Sequence, residues 1–152
     1  MSEGGDKVIV VDGTNQILGR LASIVAKKLL EGYSVVVLNV EKVVVSGVPK
    51  EVVKAYKRTV LGVKSHHAHR LRPKRPRSPI RLFKSAVWGM LPKHNARGRN
   101  AYRRLKAYIG VPEEFQGVET VRFPEADASR LSRSYVQLAR IARELGWKGG
   151  EE

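Results

Sequence analysis

The sequence predicts an α/β fold in which helices cover a small parallel sheet, and three observations carry that prediction. Residues 8–11 (VIVV) and 35–38 (VVVL) are continuous apolar runs, as strands buried on both faces require. Between them Leu18, Leu21, Ala22, Val25 and Leu29 recur at helical spacing, and Gly32 follows as a stop. A strand, a crossover helix and another strand form a right-handed parallel unit whose sheet must be covered by helices.

The elements follow in order. The first strand ends at Asp12 and Gly13, and Thr14 or Asn15 is placed to cap the first helix. Gly19 is read as the residue that lets this helix approach the sheet. Residues 43–45 form a third strand, closed by Ser46 and Gly47. After Pro49 a helix over 50–60 carries Val52, Val53, Tyr56 and Val60 on one side and Lys54, Lys57 and Arg58 on the other. A non-regular basic stretch fills 64–77. Ser78 as N-cap and Pro79 at the first helical position open the next helix. Ile80, Phe83, Val87, Met90 and Leu91 give its apolar stripe, and Pro92 stops it. A short helix over 100–105 leads into a strand at 107–109. The last helix spans 132–145, with Tyr135, Leu138, Ala142 and Leu145 on one face and Gly146 beyond its end. No repeat or boundary interrupts the chain, so one domain over 1–152 is expected, with flexible tails at 1–6 and 149–152.

A chain of 152 residues with 42% apolar composition has enough material for a core and is not globally disordered. Charge is its unusual property: 29 Lys and Arg against 14 Asp and Glu give a net +15, and the pI is about 10.5. Self-repulsion of that size is relieved by a polyanion. No apolar run reaches the roughly 20 residues of a membrane helix, and MSEGGDK lacks the apolar region of a secretory signal. With no cysteine, disulfides, thiol nucleophiles and Cys-based zinc sites are excluded. The cytoplasm is the expected compartment.

The charge is also unevenly placed. No acidic residue lies between Glu51 and Glu113, and those 61 residues hold 17 Lys or Arg and all four His. The other 12 Lys and Arg share the rest of the chain with all 14 carboxylates. Solvated faces usually mix both signs. A long carboxylate-free stretch reads as a surface that must not repel phosphate.

Residues 64–84, KSHHAHRLRPKRPRSPIRLFK, are the densest part, with eight Lys or Arg among 21 residues. Pro73, Pro76 and Pro79 recur at the polyproline II period. An extended basic arm over 64–78 is therefore expected, aiming Lys74, Arg75 and Arg77 outward into a groove between RNA helices. In the free protein the same residues can be a solvated loop that orders on binding. His66, His67 and His69 suggest zinc, but no carboxylate stands near to orient the imidazoles and the neighbours are cations. Stacking on bases or hydrogen bonding to phosphate or ribose suits them better. The second cluster, 93–106 (KHNARGRNAYRRLK), has Gly98 for a tight turn, and Arg99, Arg103 and Lys106 on one helical face. Tyr102 is either a core anchor or a stacking platform.

The residues read as RNA contacts are thus Lys54, Lys57 and Arg58 on the second helix and Lys64, His66, His67, His69, Arg70, Arg72, Lys74, Arg75 and Arg77 in the arm. Arg81 and Lys84 follow on the next helix, then Lys93, Arg97, Arg99, Arg103 and Arg104 in the second cluster. Chemistry is not foreseen. GTNQILGR at 13–20 fails as a P-loop because its glycines are one residue too far apart, Arg20 replaces the lysine and Leu21 the magnesium-binding hydroxyl. The histidines have no carboxylate close in sequence to make them acid–base catalysts. Neither a cofactor, a metal nor a small-molecule substrate is expected.

VVDGTNQILGRLASIVAKKLL, VVVLNVEKVVVSG and above all GMLPKHNARGRNAYRRLKAYIG resemble the L-thirteen family of large ribosomal subunit proteins, over residues 8 to about 148. The closing LGW is similar to its archaeal and eukaryotic cytosolic branch. The resemblance implies a three-layer α/β/α sandwich around a small, mostly parallel sheet of about four strands. It also implies a structural protein that binds large-subunit rRNA during assembly, beside neighbouring ribosomal proteins. Arg20, Gly89, Met90, Pro92, Gly98 and Arg99 match family motif positions, and through that match Arg20 joins the RNA contacts. Many members carry a basic residue just before GML, where this chain has Trp88; stacking or packing replaces a phosphate contact there. A regulatory module that binds mRNA or protein away from the ribosome would use the same basic surface, and sedimentation separates the two.

Overall fold

The computed structural model describes residues 7–60 and 76–149. Strands β1 (Val8–Asp12), β2 (Ser34–Leu38) and β4 (Leu105–Ala107) form a parallel sheet in the order β1-β2-β4. Val11 stands opposite Val37, and Val37 opposite Ala107. A single parallel bridge from Val11 to Val121 continues the sheet past β1, its backbone bonds running Asp12 N–H to Val121 O and Val121 N–H to Val10 O. The α/β class and the mainly parallel sheet are as the sequence predicts.

Helix α1 (Leu18–Leu30) crosses from β1 to β2 and buries Leu18, Leu21, Ala22, Val25, Ala26 and Leu29. Gly32 lies at φ +104°, where its N–H meets Leu29 O and the Tyr33 N–H meets Lys28 O, the paired bonds of a left-handed helix stop. Its start differs from expectation. Thr14 bonds Asp12, Asn15 takes φ 57°, and Ile17 begins the helix with no side-chain cap. Gly19 faces open space, whereas Gly13 is confined, since a Cβ there would meet Val43 Cγ2 at 2.8 Å and Leu38 O at 3.1 Å.

Helices α2 (Pro49–Val60), α3 (Pro79–Trp88), α4 (Ala96–Arg103) and α5 (Leu138–Glu144) complete the described helices. Val11, Val35, Val37, Leu105 and Ala107 share a core with α1, Val53 of α2, Phe83 and Val87 of α3, Ala101 of α4 and Leu138 and Ile141 of α5. The opposite sheet face, Val10, Val36 and Leu38, is covered by Tyr108 and Phe115, whose ring centroids lie 5.5 Å apart. Among the described residues that layer is a loop with a 3-10 turn at Glu113–Phe115 instead of a helix.

Ser78 caps α3 as its sequence announces, its Oγ accepting the Arg81 N–H at 3.3 Å. Leu82 joins the buried stripe, whereas Met90 falls beyond the helix end and is 45% exposed. α4 starts four residues earlier than the 100–105 reading because Asn95 caps it by accepting the Gly98 N–H at 3.0 Å. Gly98 therefore sits inside the first turn of α4 and makes no tight turn. The following strand comes two residues sooner than 107–109, so Lys106 belongs to β4 and leaves the helical face of Arg99 and Arg103.

The chain end brings the largest correction. Residues 135–137 form β5 (Tyr135–Gln137), antiparallel to β3 (Val44–Ser46), with Val136 buried between exposed neighbours. Only from Leu138 does the spacing become helical. Tyr135 is exposed and not part of the helix's apolar face. The arm residues Lys64, His66, His67, His69, Arg70, Arg72, Lys74 and Arg75, and the tails at 1–6 and 150–152, lie outside the described residues.

Candidate nucleic-acid interface

Among the described residues, the cations of the acid-free segment lie on or beside α2, α3 and α4 and at Lys106 of β4, with Glu51 exposed at the start of α2. On α2, Lys54, Lys57 and Arg58 face outward while Val53 points in. Lys57 pairs with Glu144 of α5 at 3.1 Å, so this cation joins two helices. Arg77 and Arg81 are exposed at the start of α3, and Lys84 is half-buried one turn on.

The path from α3 to α4 is fixed by packing. Leu91 is buried, and Gly98 lies so close to Pro92 that its hydrogen faces the Pro92 carbonyl. Lys93 and His94 are exposed on the connection, and Arg97 and Arg99 on the first turn of α4. Arg99 and Arg103 are one helical turn apart on α4 and share a face. Among the described residues no carboxylate pairs with either.

Two arginines of the same cluster have structural posts. Arg104 donates through Nη2 to Leu29 O at 2.5 Å and through Nε to Tyr33 O at 3.3 Å. Arg97 donates to Leu30 O at 3.3 Å. The last carbonyls of a helix have no intrahelical donor and carry the negative end of its dipole. Arg97 supplies a donor to Leu30 O, Arg104 adds a second donor to Leu29 O beside the Gly32 N–H, and both bring positive charge. Sequence spacing gives no sign of this, because the acceptors lie about 70 residues away, as 67 for Arg97 and 75 for Arg104. Arg20 also stands apart. It is on the first turn of α1, beside Glu125 O at 3.5 Å, roughly 15 Å of helix from Leu30.

Aromatic side chains lie among the cations. Trp88 of α3 and Tyr102 of α4 pack with ring centroids 5.0 Å apart at 57°. Lys84 Nζ sits 5.3 Å from the Tyr102 centroid. Burial raises the Tyr102 phenol above its ordinary pKa, with the Arg81 charge opposing.

Sequence reading missed a polar knot at the carboxyl ends of the strands. The Asp12 carboxylate accepts from Thr14 N–H at 3.0 Å, Thr14 Oγ1 at 2.7 Å and Asn39 Nδ2 at 3.1 Å. Arg122 Nη1 stands 3.7 Å from Asp12, and Nη2 3.4 Å from Asp127. Burial pushes the Asp12 pKa up, but the Thr14 and Asn39 hydrogen bonds and Arg122 outweigh it and hold it below the usual value. A carboxylate thus fills the place where nucleotide phosphates bind in open α/β sheets. The signal for it was the DGTN run after β1, whose aspartate bonds its own turn. Among the described residues no three of His, Cys, Asp and Glu lie close enough to hold a metal ion, and no helix is long and apolar enough to cross a membrane.

The family model for Ribosomal protein L13 matches residues 6–114. The large ribosomal subunit protein uL13 of Aeropyrum pernix is 62% identical over 152 residues, covering 100% of this chain and 98% of the relative. That of Saccharolobus solfataricus is 42% identical over 145 residues, 95% of this chain and 96% of the relative. That of Archaeoglobus fulgidus is 43% identical over 147 residues, 95% and 92% respectively.

Proposed function

The chain belongs to the ribosomal protein L13 family, and from that premise we propose that it is a structural, non-enzymatic component of the large ribosomal subunit that binds rRNA and supports subunit assembly. It works on cytoplasmic ribosomes, held by rRNA and flanked by other ribosomal proteins. The observation that carries this reading is the set of exposed cations on α2, α3 and α4, from Lys54 to Arg103, within a stretch of sequence that has no carboxylate. Phosphate neutralisation by such a surface releases counterions, and that release drives binding. Arg99 and Arg103 are the leading phosphate ligands, since guanidinium grips phosphate through two parallel hydrogen bonds. The arm over 64–78 supplies further contacts, with Arg72, Lys74, Arg75 and Arg77 foremost.

Binding of the purified chain to large-subunit rRNA, measured against salt, tests the proposal. The log–log slope should be roughly −0.7 to −0.9 per phosphate neutralised. Replacing Arg99 and Arg103 by Ala should reduce it by about two units. A salt-independent affinity, or a slope unchanged by both this pair and the four arm substitutions to Ala, overturns the reading. Sedimentation adds a second test: most of the native protein should travel with large subunits in high salt.

A further inference from the structure

We infer that Trp88 and Tyr102 form a stacking site for one unpaired RNA base, with Arg81 and Lys84 placed at its phosphates. The inference rests on the RNA-binding reading and deepens it by naming an uncharged contact. Arg81, Lys84 and Trp88 fall at intervals of three and four on α3, so they share one face. Tyr102 reaches that face from α4, 5.0 Å from the Trp88 ring. Both residues pack against the core and are only partly buried, so part of each remains exposed. The two rings meet at a tilt of 57° and are not a parallel stack. Beyond Trp88, Gly89 and Met90 are both exposed.

The surroundings select the ligand. Residues 79–103 contain no carboxylate, and Lys84 already lies over the Tyr102 ring. An aromatic platform edged by cations matches a nucleotide, whose base stacks while its phosphates meet the charges. An unpaired base fits because only an unstacked one presents a free face.

The test uses full-length protein with Trp147→Phe, so that Trp88 is the sole indole, and purified large-subunit rRNA as the probe. Bound rRNA should quench Trp88 emission at least twofold. Trp88→Leu should weaken binding about tenfold without changing the salt slope, and Trp88→Phe should stay within about threefold of the parent. Circular dichroism verifies that both variants fold. Binding without quenching, or equal affinities for the Leu and Phe variants, makes Trp88 a packing residue and overturns the stacking site alone. Quenching in intact subunits but not by rRNA assigns the surface to a protein neighbour and also overturns it. Absence of rRNA binding by the parent removes the RNA reading and the site together.

Discussion

Gly98 lies flat against Pro92: a side-chain carbon at position 98 would sit 1.7 Å from the Pro92 carbonyl oxygen and 2.6 Å from its carbon. Both of these atoms are backbone, so relief requires moving α4 away from the end of α3. Gly98→Ala should therefore destabilise by about 3 kcal/mol, at the upper end of overpacking costs, measured by urea unfolding. Gly89 gives the contrast. Its backbone is helical at φ −62°, and an added Cβ meets only Ser85 O and Ala86 O, each at 3.6 Å. Gly89→Ala should be neutral or stabilise by up to about 1 kcal/mol. Equal losses at the two glycines would refute the contact.

The arginines of the second cluster should divide into two groups. Arg104→Ala removes the side-chain donor to Tyr33 O and one of the donors to Leu29 O, which keeps the Gly32 N–H, for a loss of about 1–2 kcal/mol in unfolding free energy. Arg99→Ala and Arg103→Ala remove exposed charges and should change stability by less than about 0.5 kcal/mol. Their effect belongs in rRNA affinity instead. If Arg104→Ala unfolds like the parent while weakening rRNA binding as Arg99→Ala does, its structural assignment fails.

Helix caps offer a similar comparison. Ser78 and Asn95 each accept a backbone N–H three residues on. Ser78→Ala and Asn95→Ala should each cost about 1 kcal/mol. Because Ser78 is buried and Asn95 exposed, water replaces the lost partner only at Asn95, and Ser78→Ala should be the more costly in thermal unfolding.

These two caps also mark what the sequence discloses. Ser78 is followed by proline and an apolar stripe, so local rules identify it. Asn95 stands in KHNARGRN, where no apolar period announces a helix, and α4 is held by Ala101 and by the Gly98–Pro92 contact. β5 was hidden for a related reason. Leu138, Ala142 and Leu145 are helical in spacing, and extending that period back to Tyr135 is consistent until Val136 is seen paired with Val45. Strands three residues long carry too little alternation to register alone. The cationic surface was visible because charge is a property of composition. Which cations are occupied within the fold was not, since Leu29, Leu30 and Glu144 approach only through tertiary packing.

Asp12 should impose an acid dependence on stability. Its folded pKa lies below the ordinary 3.8, so the ionised form is preferentially stabilised by the fold. That contribution is complete above the unfolded pKa and disappears as pH falls through the lower folded value. Asp12→Asn keeps an oxygen for Thr14 but loses the charge opposite Arg122. At pH 6 the variant should be less stable than the parent by about 1–2 kcal/mol, the worth of charge-assisted bonds. As pH falls below 3.8 and through the lower folded value the gap should close, because the parent's Asp12 becomes neutral too. Thermal unfolding of both proteins across this range measures it. A gap that stays constant to pH 2 would mean that Asp12 contributes through its hydrogen-bond geometry and not through its charge.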